Sequence, residues 1–295
     1  MEILRVAEGV YAVDTEIGGE DGIVFAYIVD RGEVAVVETG ANSTSNRVVE
    51  AIEELGIKKE EVKYIAVTHV HLDHGGAAGS LAKVFEKAKI IVHPKGAYHL
   101  VNPEKLWNSS KFVLNEVAEV YGKPTPVDES RILIAEDYSE FPLGEVEIKV
   151  VHTPGHAPHH QSFLVDRILI PGDSAGVFKD GRIIPTTPPV FDFEKALRSV
   201  RKMRELEVSM IAYTHFGIGK KEMLDRVEEK LMDWKNLALE CKSAEEMHEK
   251  LLEVDADYRY FWEWLKKSKF AESYFHLALR GFLEAVKNER EVRNH

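Results

Sequence analysis

The chain has 295 residues, 44% hydrophobic and 30% charged, a composition that can bury a core and excludes a wholly disordered polymer. Acidic side chains outnumber basic ones 50 to 38, for a formal charge of −12, which argues against an extended nucleic-acid surface or a face for anionic lipid. No apolar run approaches the roughly 20 residues of a membrane span, and the single cysteine, Cys241, excludes an intramolecular disulfide and a cysteine metal cluster.

Short β-branched and aromatic runs at 10–13, 23–29 and 34–38 predict strands, with turns at Gly18-Gly19 and Arg31-Gly32. Residues 46–55 predict an amphipathic helix. An apolar run at 64–68 ends at His69, the first histidine of the chain. A helix is expected over 77–87, a strand over 90–93, and a helix over 103–121, where Leu106, Val113, Val117 and Val120 recur at helical spacing. Strands follow at 131–134, 146–151, 162–165 and 168–170, then a helix at 193–206 and a strand at 209–213 that leads into His215. From Lys220 onward the pattern is helical: Met223, Val227, Leu231, Trp234 and Ala238 recur every three or four residues, as do Tyr274, Ala278, Phe282 and Ala285. The boundary is expected near 217–219. It divides a mixed α/β domain, 1–217, from a helical C-terminal cap, 218–295. Ten of the 13 histidines lie between His69 and His215, and all 11 prolines lie between Pro94 and Pro189. The chemistry is therefore expected in the middle of the chain.

The segment Thr68-His69-Val70-His71-Leu72-Asp73-His74-Gly75-Gly76 places four metal-capable side chains within six residues, directly after an apolar strand. Imidazole and carboxylate form the ligand set of Zn, Fe or Mn. In an extended loop His69 and His71 point the same way. Asp73 and His74 follow as the chain turns into a helix, so they reach a second position nearby. Val70 and Leu72 argue against a solvated loop.

This H-x-H-x-D-H pattern at a strand end resembles the metallo-β-lactamase superfamily, and the resemblance repeats along residues 1–217. Thr153-Pro154-Gly155-His156, Pro171-Gly172-Asp173 and Tyr213-Thr214-His215-Phe216-Gly217 match its later motifs in order. The resemblance implies an αββα sandwich with two divalent metals at one edge of its sheets, zinc first, with iron or manganese as alternatives. It implies His69, His71 and His156 as ligands of one metal, Asp73, His74 and His215 as ligands of the other, and Asp173 as the bridge. Hydrolysis by a metal-bridging hydroxide follows from the same resemblance. In that reading Asp73 and Asp173 are the catalytic carboxylates, and the substrate is a small molecule with an ester, thioester or lactone carbonyl. A metal-dependent phosphodiesterase or nuclease, and a mononuclear iron enzyme similar to sulfur dioxygenases, are the alternatives within the superfamily. A non-catalytic metal-binding protein is a further one.

The ligand set and the helical tail resemble the glyoxalase II-like group and archaeal proteins carrying a Thr-Pro-Gly-His-Ala-Pro-His-His run. Two features depart from the family pattern. Glu38-Thr39-Gly40 stands where the superfamily commonly has Asp-Thr-Gly. Ser174-Ala175-Gly176-Val177-Phe178-Lys179 follows the bridging aspartate and lacks the basic, cysteine-containing loop that grips glutathione. His160 matches a position that is often structural in the family. His159 is placed at the pocket mouth as one alternative. His152 is expected to close a strand, and His99 to sit on a surface helix. His248, His276 and His295 are read as ordinary residues of the tail. The tail aromatics Tyr258, Tyr260, Phe261, Trp262, Trp264, Tyr274 and Phe275 pack the cap onto the core, roof the metal pocket or form a homodimer contact. Within them 257–260 is the stretch expected to approach substrate, being polar and aromatic together. The N-terminal residues have no apolar signal core, which reads as cytoplasmic, and a single glutamine amid heavy Lys and Glu use leans toward a thermophile.

Overall fold

The computed structural model describes residues 3–287; His295 lies outside the described residues. The first sheet runs in sequence order: β1 (Ile3–Ala7), β2 (Val10–Asp14), β3 (Phe25–Asp30), β4 (Val34–Val37), β5 (Val62–Ala66), β6 (Lys89–Val92) and β7 (Ile132–Ile134). It is antiparallel from β1 to β4 and parallel from β4 to β7. The parallel strands need crossovers, supplied by α1 (Ser45–Glu54), α2 (Ala78–Val84) and the succession α3 (Pro94–Val101), α4 (Glu104–Leu114) and α5 (Glu116–Tyr121).

The second sheet contains β8 (Glu140–Leu143), β9 (Val146–His152), β10 (Gln161–Val165) and β11 (Ile168–Ile170). After a separate hairpin, β12 (Val177–Lys179) and β13 (Arg182–Ile184), and helix α6 (Phe193–Arg204), come β14 (Met210–Ala212) and β15 (Ile218–Gly219). Its order is β15-β14-β11-β10-β9-β8. The tail holds α7 (Met223–Glu240), α8 (Ala244–Val254), α9 (Ala256–Leu265), a π-helical turn at Ser273–Leu277 and α10 (Ala278–Ala285).

Side-chain alternation fixes four layers. On β3, Ala26 and Ile28 join Val36, Ile65 and Ile90 in packing with Val48, Ala51, Ile52 and Leu81 of α1 and α2. The alternate residues Tyr27, Val29, Ala35, Val37 and Ile91 point the other way, against Ile148, Val150, Phe163, Ile168 and Ile170 of the second sheet. Strands covered on both faces read as near-continuous apolar runs, which is why the sequence shows them as short β-branched blocks. The far face of the second sheet carries Leu169, Ile211 and Tyr213. These merge with Val200 and Met203 of α6 and with Trp234, Phe261 and Phe282 of the tail into one buried cluster. The order is therefore helix, sheet, sheet, helix, and the tail supplies much of the last layer.

Several elements differ from the sequence reading. The helix expected over 103–121 breaks at Asn115, whose φ of 50° and ψ of −124° no helix accommodates, so α4 and α5 are separate. Pro94 opens α3 at its first turn, and the ring of His93 caps it by accepting the Lys95 N–H at 3.0 Å. Strands β1 and β8 and the β12–β13 hairpin were not expected. Among the described residues no helix is long and apolar enough to cross a membrane.

Candidate metal centre

The loops that leave β5, β9, β11 and β14 carry the metal-capable side chains, so both sheets deliver them to one place. His69, His71 and His156 form one group, Asp73, His74 and His215 a second, and His69, His74 and Asp173 a third between them; within each group the ligand atoms lie within 4.8 Å of one another. His71 Nδ1 sits 2.9 Å from His69 Nε2 and 3.0 Å from His156 Nε2. In the second group His74 Nε2 and His215 Nε2 are 3.2 Å apart, and Asp73 Oδ2 lies 3.9 Å from each. Asp173 spans the two groups with separate oxygens: Oδ2 is 3.2 Å from His156 Nε2, while Oδ1 is 3.4 Å from His74 Nε2 and 3.2 Å from His215 Nε2.

The far nitrogens of these rings settle which nitrogen faces inward. His156 Nδ1 donates to the Thr186 carbonyl at 3.1 Å and His215 Nδ1 to the Ile23 carbonyl at 2.9 Å; a carbonyl only accepts, so each Nδ1 carries the hydrogen and Nε2 is left with a lone pair. His74 Nδ1 lies 3.1 Å from Glu38 Oε2, both fully buried, and donates to that carboxylate. His69 Nδ1 is 3.0 Å from the Thr68 hydroxyl. Ligand-capable nitrogen and oxygen atoms thus converge at about 3 Å, an arrangement that could hold a metal ion. Four tetrahedral ligands about 2.1 Å from zinc stand about 3.4 Å apart, which the observed spacings approach. Asp173 Oδ1, buried and without a hydrogen bond, fits the same explanation. The residues fit divalent metal.

Charge agrees. Burial, together with the neighbouring histidines, holds His69 and His71 well below the ordinary imidazole range and also lowers His156, which keeps these rings neutral as ligands must be. His74 is pushed the other way: burial would lower it, but Asp173, Glu38 and Asp73 outweigh that and raise it well above its usual value. Burial alone would raise Asp173, yet His74, His156 and His215 hold it well below the carboxylate range. Among the described residues no lysine or arginine pairs with Asp73, Asp173 or Glu38.

The supports come from both sheets. Glu38, which departs from the family's usual aspartate, is the carboxylate that orients His74, and Thr39 Oγ1 donates to the His74 carbonyl at 2.6 Å. The longer side chain still reaches its histidine, which sequence alone left open. His160 accepts the Asp173 backbone N–H on Nε2 at 3.1 Å and holds the Thr153 hydroxyl on Nδ1 at 2.9 Å, a structural role as expected. Gly172, at φ 53°, leaves no room for a side chain: a Cβ would stand 2.6 Å from Thr68 Oγ1 and 2.8 Å from His160 Nε2.

A pocket of about 370 Å³ opens over the cluster, with His71, Asp73, His156, His159, Asp173 and His215 at its floor. Its walls are largely apolar: Leu72, Leu106, Val113, Leu114 and Tyr121 line it together with Pro188, Pro189, Val190, Tyr274, Leu277 and Ala278. Among the described residues that line it there is no lysine or arginine. His159 is in place at the floor, whereas His99 lies on α3 outside the lining, and His152 closes β9 and donates from Nε2 to the Ala135 carbonyl at 2.8 Å. The stretch 257–260 does not approach the pocket. Asp257 is tied to Arg226 at 2.6 Å, buried Tyr258 to His248 at 2.6 Å, and Tyr260 to Asp180 at 2.5 Å. The tail instead reaches the site through Ser273, Tyr274, Leu277 and Ala278, a contact that no local motif announces.

Comparison with known proteins adds the following. A family model, that of the metallo-beta-lactamase superfamily, matches residues 19–215. The metallo-beta-lactamase fold-containing protein ST1585 of Sulfurisphaera tokodaii is 35% identical over 170 residues, 56% of this chain and 65% of that protein; the match spans just under two thirds of the relative's length. An N-acyl homoserine lactonase of Bacillus cereus is 26% identical over 222 residues, 73% of this chain and 78% of the lactonase. Among solved structures, ST1585 superposes with a TM-score of 0.71 at 26% identity, covering 94% of this chain and 98% of the other. A metallo-beta-lactamase family protein of Thermus thermophilus shares the fold at a TM-score of 0.69 and 19% identity, over 97% and 95% of the two chains.

Proposed function

We propose that this chain, which belongs to the metallo-β-lactamase superfamily, hydrolyses neutral esters or lactones that carry an apolar arm. In this reading two divalent metals, zinc first, are held by His69, His71 and His156 and by Asp73, His74 and His215, with Asp173 between them. The observation that carries the reading is a buried ligand cluster at the floor of an apolar pocket that offers no cation among its described lining residues. Bound divalent metals supply a Lewis acid for a carbonyl oxygen and a nucleophilic water near neutral pH.

The chain's own residues do the rest. The anchored far nitrogens of His74, His156 and His215 hold each ring at a fixed angle, and Asp173 sets the spacing of the two groups. The apolar walls exclude water and bury an acyl or alkyl arm, worth roughly 25 cal/mol for each Å² covered. A phosphodiester would bring a charge that arginine or lysine ordinarily clamps, and the walls present neither. The same lack weighs against the two carboxylates of glutathione, so the likeness to the glyoxalase II-like group extends to the ligand pattern and the tail rather than to the substrate. The complete second group favours two metals over one iron. The lactonase names among the relatives favour a lactone within the ester class. We further propose that the residues after 217 act as a cap whose last described turns wall the pocket.

Elemental analysis of protein purified without chelator should give close to two metals per chain. A panel of nitrophenyl esters, thioesters, acyl lactones, a β-lactam and a bis-nitrophenyl phosphate should then show turnover on the carboxylic esters and lactones, abolished by chelator and restored by zinc. Cleavage of the phosphodiester alone, or one iron per chain with no hydrolysis, overturns the reading.

A further inference from the structure

The helical tail touches the metal-capable cluster at Tyr274, through both its ring and its hydroxyl. Ser273–Leu277 form a π-helical turn running into α10, and single π turns inside helical segments gather at functional sites. Phe275 is buried against Tyr258 and Trp262, while Tyr274 lines the pocket. The Tyr274 ring meets His215 edge to face, centroids 5.4 Å apart at 84°, so its position is fixed by packing. Its Oη lies 2.8 Å from His215 Nδ1.

The hydrogen on this contact can be assigned. His215 Nδ1 also lies 2.9 Å from the Ile23 carbonyl, an acceptor only, so Nδ1 carries a hydrogen and cannot accept one. Toward His215 the phenol oxygen is therefore an acceptor. Its own hydrogen is left uncommitted, since among the described residues Tyr274 Oη has no other hydrogen-bond partner. That hydrogen belongs to a group on the pocket wall against His215, close enough to Asp73 and Asp173 to feel their charge.

We propose that Tyr274 is a catalytic residue that donates a hydrogen bond to the leaving oxygen of the ester or lactone. Water adds across the acyl C–O bond: its oxygen joins the acyl carbon, the electron pair of the breaking bond stays on the leaving oxygen, and one water proton ends there. The Tyr274 hydroxyl holds that oxygen while charge develops on it. The proposal rests on the ester-hydrolase reading above.

Tyr274→Phe keeps the ring and removes only the hydroxyl. Wild type and variant are compared on two substrates with the same acyl group, an alkyl ester or lactone with a poor leaving oxygen and a nitrophenyl ester with a good one. Loss of one preorganised donor costs about 10²-fold or more in kcat, so the poor leaving group should show that loss with KM within about threefold. The nitrophenyl ester, which needs no such donor, should change by less than about threefold, and metal content should be unchanged. Equal losses on both substrates, or none on either, overturn the proposal. Should the variant lose metal, the wild type carries the test alone: its rates must depend shallowly on leaving-group acidity, and a steep dependence overturns the proposal. A wild type without metal-dependent esterase activity defeats the broader reading instead.

Discussion

Glu38→Gln changes a single side-chain atom at the most deeply buried carboxylate near the cluster. Glu38 and His74 are both fully buried, and the carboxylate oxygen sits 3.1 Å from the imidazole Nδ1. The glutamine carbonyl can take the same place, so the ring stays oriented while the negative charge behind it is lost. Removing an outer partner of a ligating histidine typically lowers metal affinity 10–100-fold, which at about 1.4 kcal/mol per decade is roughly 1.4–2.7 kcal/mol. The backbone of Glu38 lies at φ 66°, an unfavourable region for any residue but glycine. Glutamine inherits the same cost, which cancels in the comparison. Metal-loaded protein titrated with a chromophoric chelator should show two release steps. The step belonging to Asp73, His74 and His215 should weaken 10–100-fold and the other should stay. Glu38→Asp keeps the charge but shortens the reach by about one C–C bond, roughly 1.5 Å, and should weaken that step at least as much. Two release constants within about twofold of wild type in Glu38→Gln would refute the argument that this carboxylate tunes His74.

Other perturbations separate the bridge, its backbone support and the tail. Asp173→Asn should lower both release steps and bring metal content well under two per chain, with kcat down by orders of magnitude; unchanged stoichiometry would show that Asp173 does not bridge. Gly172→Ala forces a Cβ into Thr68 and His160, and should cost about 1–3 kcal/mol in chemical denaturation together with metal occupancy. In the tail, Asp255 caps α9 by accepting the N–H groups of Asp257 and Tyr258 at 3.0 Å, and also holds Lys230 and Trp234. Asp255→Asn should destabilise by about 1–3 kcal/mol at pH 7. Burial would raise the Asp255 carboxyl, but Lys230 and Trp234 hold it below its usual value. Its contribution is therefore present above the unfolded-chain value, about pH 4, and is lost as pH falls through the folded one. Urea midpoints of wild type and variant should converge in that acid range and not near pH 7.

What the sequence disclosed follows how local each signal is. His69 to His74 are legible because all four side chains fall within one loop, and each later motif sits at the end of an apolar strand that marks its own position. Glu38 was visible only as a departure from a pattern. Its partner His74 lies 36 residues away, and a carboxylate's reach across that gap cannot be read from spacing. Tyr274 was one aromatic among several in the tail. The stretch 257–260 looked more polar, but Arg226, His248 and Asp180 satisfy those groups elsewhere. The β12–β13 hairpin was within reach of sequence: Asp180-Gly181, at φ 50° and 76°, is the two-residue turn that such hairpins favour. The break at Asn115 was not, because helical spacing continues through it and only the left-handed φ reveals two helices.

The separation between His215 and Tyr274, 59 residues, also orders events in time. During synthesis at about 5–20 residues per second, the metal-capable side chains are all made about 3–12 s before the phenol that walls their pocket. For that interval a nascent chain presents the cluster with one wall missing and with Leu169 and Ile211 of the second sheet lacking the part of their cover that Trp234, Phe261 and Phe282 supply. Ions can enter by a route that the finished molecule narrows, and the same opening exposes apolar surface to other chains. Metal supply during translation should therefore influence the yield of folded protein, not only its activity.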